Sequence, residues 1–281
     1  MIVICDCGST KADWMFVDED SSSKIYQTKG FNPYFQNEDW IENELKTNLL
    51  NQVSIKDVTE VHFYGAGCSD PQRCQIVDTA LNRIFINAKV VVDHDLLAAA
   101  RALCGREAGI AVIIGTGSNT CLYDGENIID NVFNLGYLLG DEGSGSNLGK
   151  SLLKGFFYRE MPADLEEAFI SLFGSDKKVI LDKVYKESAN VYLASYAKFV
   201  NDHKYHIYIK KLVMDAFGEL IKRHILKYDG ANQLPVHFVG SIAYHFSDIL
   251  QLTLDEYNLK MGKVIKKPID ELKYYHLNQN N

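Results

Sequence analysis

Short apolar runs separated by turns open the chain, and longer stretches with apolar residues at helical spacing follow them. Ile2 to Cys5, Ala12 to Val17 and Lys24 to Thr28 read as three consecutive strands. Val61 to Tyr64 and Lys89 to Val92 read as two more, interleaved with helical stretches at Glu38 to Leu49, Gln72 to Ile84 and Asp95 to Leu103. A meander followed by strands that alternate with helices predicts a mixed sheet with helices on its faces. The pattern then starts over. Ile110 to Ile114, Thr120 to Tyr123 and Ile128 to Asn131 predict a second meander. Helical stretches follow at Asp164 to Leu172, Val179 to Tyr185, Ala189 to Asn201 and His206 to Tyr228, and a strand (Val236 to Val239), a helix (Ala243 to Tyr257) and a strand (Lys263 to Ile265) close the series. The topology is duplicated although the sequences are not. Gly105 to Gly109 is the best boundary, giving a domain over 1–108 and a second over 109–281 that carries the helical insertion; a C-terminal helix is expected to pack back on the first domain.

Composition narrows the classes. The 281 residues, 47% hydrophobic and 23% charged, are those of an ordinary soluble globular protein with room for about two cores. The net charge of −8 and scattered Lys and Arg leave no footprint for nucleic acid or an anionic membrane. Met1 to Cys5 is followed at once by Asp6 and reads as a strand rather than a signal peptide. No apolar run reaches the ~20 residues that cross a bilayer, so the expected location is cytoplasmic. Of the six cysteines, Cys5 and Cys7 share one face of a strand, but no second close pair completes a four-ligand zinc set with them. Cys68, Cys74, Cys104 and Cys121 are expected as free thiols too.

Two glycine-rich turns carry the candidate chemistry. Asp6-Cys7-Gly8-Ser9-Thr10-Lys11 joins the first two strands, and Gly115-Thr116-Gly117-Ser118-Asn119-Thr120 joins the first two of the second meander. Backbone amides exposed by Gly, beside Ser and Thr hydroxyls, form a concave donor site for phosphate oxygens. Two such turns predict a nucleotide clamp and hence ATP dependence, with a ligand expected in a cleft between the halves.

These residues, together with Asp95 opening a helix, Gly140-Asp141-Glu142-Gly143-Ser144 and Gly240-Ser241, resemble the actin-like ATPase and hexokinase superfamily, and within it the N-acetylglucosamine kinase-like branch of the BadF/BadG/BcrA/BcrD ATPase family. The resemblance runs from Asp6 to Pro268–Leu272, and its specific part is the pair Gly-Thr-Gly-Ser-Asn and Gly-Asp-Glu-Gly-Ser. It implies an α/β chain of two ribonuclease-H-like domains that binds ATP, magnesium and a sugar. Asp6 would hold Mg2+ through water, with Gly8, Ser9, Thr10 and Lys11 around the phosphates, Gly115, Thr116 and Gly117 as the second phosphate motif, and Gly240 and Ser241 under the adenosine. Asn32, Asp95, Ser118, Asn119, Gly136, Asp141 and Glu142 would contact the sugar. The reaction implied is phosphorylation of an amino sugar, N-acetylglucosamine first, at its primary hydroxyl, and a homodimer is left open. Two departures stand out: Leu135 replaces a common Trp, and Ser241 replaces a second Gly.

Phosphoryl transfer asks for charge neutralisation and a carboxylate that accepts the hydroxyl proton. In Val90-Val91-Val92-Asp93-His94-Asp95-Leu96 a strand delivers two carboxylates to a helix start, where either could instead serve as the N-cap. Asp95 is favoured as base, with Asp93 its rival. Gly143-Ser144-Gly145-Ser146-Asn147-Leu148-Gly149 mimics a dinucleotide fingerprint, but its third glycine falls one place late, so it reads as a loop capping the next helix. Two other classes share features of this reading: an ATPase that activates a radical dehydratase, and a sugar-binding sensor without catalysis.

Overall fold

The computed structural model describes residues 1–8, 11–186 and 188–277. Two compact units divide them: Met1–Gly105 joined by the chain from Pro268 onward, and Arg106–Lys267.

The first unit begins with the expected meander, β1 (Ile2–Cys7), β2 (Lys11–Val17) and β3 (Ser23–Lys29). Helix α1 (Glu38–Glu44), capped by the Asn37 side chain, runs on through a π turn at Leu45–Leu49. β4 (Glu60–Gly65), α2 (Pro71–Ile84), β5 (Lys89–His94) and α3 (Asp95–Cys104) follow. Asp70 caps α2 and Pro71 opens it, where a missing N–H costs nothing. The sheet order is β3-β2-β1-β4-β5, antiparallel through the meander and parallel from β1 to β5. Alternation along the strands sorts the side chains. Val3, Cys5, Cys7, Ala12, Trp14, Phe16 and Phe63 pack with Ile41, Leu45, Val77 and Leu81 of the α1 and α2 layer. The other face, with Ile4, Met15 and Tyr64 buried on it, meets α3.

The second unit repeats the scheme with β6 (Gly109–Ile114), β7 (Ser118–Tyr123) and β8 (Ile128–Asp130). A helical block follows: α4 (Gly136–Leu139), α5 (Gly145–Phe157), α6 (Ala163–Phe173), α7 (Lys177–Val184), α8 (Ala189–Ser195), α9 (Ala197–Asp202) and α10 (Ile207–Arg223). β9 (Pro235–Val239), α11 (Ser241–His245), α12 (Ser247–Glu256) and β10 (Lys260–Ile265) complete it. Its order, β10-β9-β6-β7-β8, matches the first sheet strand for strand, with the same antiparallel and parallel pairs. The buried Tyr228, just after α10, bonds Thr120 Oγ1 at 2.6 Å and accepts from Val132 N at 3.2 Å, fastening the helical block to β7. The last helix, α13 (Ile269–Leu277), packs on α3, β1 and β2 in the first unit.

The expected capping loop is not there. The glycine-rich run from Gly145 to Gly149 lies inside α5; only Ser144 caps, accepting from Asn147 N. The glycines are there for packing. A Cβ on Gly149 would stand 2.0 Å from the Leu193 carbonyl oxygen of α8, and one on Gly155 would stand 1.9 Å from the Tyr208 hydroxyl. Small residues that let helices approach look, in a sequence, like a loop.

Gly149→Ala therefore sets helix propensity, which gains about 1 kcal/mol, against a collision with backbone that cannot swing aside. Urea denaturation should show a net loss of roughly 1–3 kcal/mol; a gain would mean that α8 relaxes freely.

Candidate active site

In open α/β sheets the carboxyl ends of parallel strands are where ligands bind, because loops there can be varied without disturbing the layers. In the first unit that edge carries the ends of β1, β4 and β5. The turn after β1 is closed by Gly8 N donating to Lys11 O at 3.0 Å; Ser9 and Thr10, expected at the phosphates, lie outside the described residues. Asp6 is half-buried and stands opposite Asp13 across the β1–β2 pair. Lys11 Nζ sits 2.9 Å from Asp13 Oδ1. The loop after β4 supports Asn32. Gly67 has φ +84°, and a Cβ there would be 2.2 Å from Asn32 Oδ1, so only glycine leaves the amide its room. The same Oδ1 accepts from Tyr34 N, and Asn32 N donates to Gln36 Oε1 at 2.9 Å. Asn32 is thus held rigidly on a turn.

The two aspartates after β5 have different surroundings. Asp93 pairs with Arg101 of α3 at 3.1 Å, and Arg101 also donates to Tyr64 Oη at 2.8 Å. Neither aspartate caps α3. His94 does, its Nδ1 accepting from Leu97 N at 3.2 Å. Asp95 is the first residue of the helix, half-buried, and burial pushes its carboxyl up to about 6, only partly offset by the amides of Leu96 and Asp95 itself. Burial also raises the nearby Cys68 thiol, helped by Cys74, Cys7 and Asp95. Among the described residues no cysteine is in a disulfide.

The corresponding edge of the second unit holds the second turn. Its carbonyls are taken by the start of α5: Gly145 N donates to Gly115 O at 2.9 Å and Ser146 N to Thr116 O at 3.0 Å. The Thr116 side chain stays exposed. Asp141, at φ +58°, is buried and accepts from Ser118 N at 3.1 Å, and burial raises its carboxyl. A Cβ on Gly117 would lie 2.9 Å from that carboxylate. Gly240, at φ +123°, brings the start of α11 onto the same turn, for a Cβ there would lie 2.2 Å from Ile114 O. Ser241 follows it, exposed. Asn119 Oδ1 accepts from Thr120 N and from Asn131. Asn134 ties Ser118 to Gly136, donating to the one and accepting from the other. Glu142 turns away: its carboxylate pairs with His224 at 3.2 Å and Arg223 at 3.7 Å beside α10.

Gly8, Lys11, Asp6, Asn32 and Asp93–Asp95 therefore gather at one edge of the first sheet, and Gly115–Asn119, Gly136, Asp141 and Gly240–Ser241 at that of the second. Sequence reasoning missed His94 as a cap, because histidine is not among the usual capping residues, and missed Asn134 and Arg101, whose partners lie further off along the chain, and Asp13, which reads as one polar residue in an apolar strand.

No protein-family model and no curated protein matches this chain. Solved structures do. A Porphyromonas gingivalis protein, provisionally named an N-acetylglucosamine kinase, superposes with a TM-score of 0.94 at 37% identity, over 100% of each chain. One from Chromobacterium violaceum, named likewise, gives 0.76 at 16% identity over 98% of each. A Listeria monocytogenes protein, provisionally named an N-acetylmannosamine kinase, gives 0.54 at 14% identity over 100% of this chain and 99% of its own. The last two share the fold. Identity of 37% along the whole length of both chains carries further, and this chain belongs to the N-acetylglucosamine kinase-like branch of the BadF/BadG/BcrA/BcrD ATPase family, in the actin-like ATPase and hexokinase superfamily.

Proposed function

We propose that the protein is an ATP-dependent kinase that phosphorylates the primary hydroxyl of an amino sugar, N-acetylglucosamine first. Asp95 is the observation that carries the reaction type: a half-buried carboxyl that opens α3 one residue past the carboxyl end of β5, with burial raising it to about 6. The sugar class is supported by what the Porphyromonas gingivalis relative is named. Asp95 accepts the hydroxyl proton as the oxygen bonds to the terminal phosphorus and the bond from that phosphorus to the bridging oxygen breaks, releasing ADP. Lys11, the amides of the first turn and the Thr116 hydroxyl stabilise charge on the phosphates, and Gly240 and Ser241 lie under the adenosine. A magnesium ion needs few protein ligands when phosphates and water supply the rest, which fits the half-buried Asp6 at a turn; Asp6 would hold it through water, and it would supply charge neutralisation.

Asn32, Ser118, Asn119, Gly136 and Asp141 hold the sugar. Each is fixed by backbone or amide hydrogen bonds, so a ligand lacking the matching hydroxyl leaves polar groups unpaired. Glu142 is committed to His224 and Arg223, so Asp141 is the acidic sugar contact in this reading. Of the two alternatives from the sequence, neither the dehydratase activator nor the idle sensor is favoured by a whole-length relative named as a sugar kinase.

A coupled ADP-release assay should show turnover with N-acetylglucosamine exceeding that with glucose or N-acetylmannosamine. ADP release indifferent to every sugar would overturn the proposal.

Asp95→Asn should fold, bind ATP and sugar, and turn over at least about a hundredfold more slowly. Asp93→Asn should act chiefly on stability by leaving Arg101 without its carboxylate partner. The reverse ranking would make Asp93 the base.

Asp95 also predicts a pH signature. Its folded value lies above the ordinary 3.8, so its favourable contribution is full below about 4 and is lost as pH rises through about 6. At pH 8 the ionised carboxylate costs the folded state roughly 2–3 kcal/mol. Asp95→Asn should therefore be more stable than the parent at pH 8 by up to that amount, the two converging towards pH 4 in urea titrations, while parent activity falls as pH drops below about 6. Parallel stability curves would remove Asp95 from its buried setting.

A further inference from the structure

β2 is an apolar strand with one anomaly. Ala12, Trp14, Met15, Phe16 and Val17 are buried hydrophobics, and Asp13 is buried among them, 7% exposed. A carboxylate there is costly to desolvate, and the register adds to the cost by setting Asp6 directly opposite. A residue that breaks the local pattern is expected at a functional site.

Lys11 explains it. Residues two apart on a strand share a face, so Lys11, Asp13 and, across the pair, Asp6 all stand on the side of the sheet that meets α3. The Lys11 side chain is nearly half exposed, its stem reaching along the edge, yet its ammonium lies 2.9 Å from Asp13 Oδ1. Lysine is a long flexible point charge and loses much rotamer freedom when it must hold one position. A buried carboxylate two residues away removes part of that loss before a ligand arrives.

We infer that Asp13 is a positioning residue for the nucleotide: it holds the Lys11 ammonium beside the first turn and so raises affinity for the triphosphate. The inference rests on the kinase reading given above. It separates binding from folding, because removing the charge relieves desolvation while releasing Lys11.

The test is a double-mutant cycle on Mg-ATP binding by calorimetry, with full-length protein and melting temperature measured alongside. Asp13→Asn should weaken Mg-ATP roughly tenfold, corresponding to about 1.4 kcal/mol, with melting temperature unchanged or raised and the KM for sugar unmoved. Lys11→Met should weaken it by at least as much. The double variant should be no worse than Lys11→Met alone, since Asp13 acts only through Lys11. Asp13→Glu, which restores the charge, should recover part of the affinity. Additive losses, or an Asp13→Asn protein that binds normally, would overturn the inference, as would weakened binding that merely tracks a lowered melting temperature. Because the readout is nucleotide binding, a protein that binds Mg-ATP but phosphorylates no amino sugar would refute the proposed function while leaving the Lys11–Asp13 coupling measurable.

Discussion

Because β1, β4 and β5 run parallel and in register, Asp6, Tyr64 and Asp93 fall in one row across the first sheet, and Cys7, Gly65 and His94 in the next. Segments distant in the sequence are thereby brought to one level without a loop having to find its place. Everything beyond the strand ends inherits that alignment. Asn32 rests on Gly67 two residues past β4, and Asp95 begins α3 one residue past β5. A slip of one residue in any of these pairs would turn Asp6 or Asp93 to the α1 and α2 face, among Cys5, Phe63 and Trp14, where a carboxylate has no partner to meet.

The second unit reaches an equivalent arrangement by backbone contact. Gly240 allows β9 to hand over to α11 against the Ile114 carbonyl, and the first amides of α5 take up the carbonyls of Gly115 and Thr116. The turn is thus gripped from two sides while the Thr116 side chain remains outside. Preorganisation of this kind matters for phosphoryl transfer, where the protein's contribution is mainly positioning and electrostatics.

Much of this was legible in the sequence because it depends on short-range patterns. Both meanders, both turns and the crossover helices follow from strand-length apolar runs and glycines. The failures have physical causes. Gly145 and Gly149 read as a loop because helix propensity cannot see Leu193 waiting across an interface. Ala189 to Asn201 reads as one helix, whereas the chain breaks after Ser195. Spacing alone does not distinguish the surroundings of Asp93 and Asp95, which differ through Arg101, six residues past the start of α3. The pairing of Glu142 with His224 joins residues far apart in the chain, which spacing cannot show.

The C-terminal helix adds an asymmetry between the units. His276 of α13 stacks on His62 at 3.9 Å and bonds Tyr64 Oη at 2.8 Å, and α13 lies on β1, β2 and α3. The second unit is one unbroken stretch, Arg106–Lys267, so all its parts are synthesised before α13. The first unit, although synthesised first, keeps Ile4, Met15 and Tyr64 on a face that waits for a segment more than 160 residues downstream of α3. Domains usually mature in order of synthesis; here the amino-terminal unit is the last to be completed.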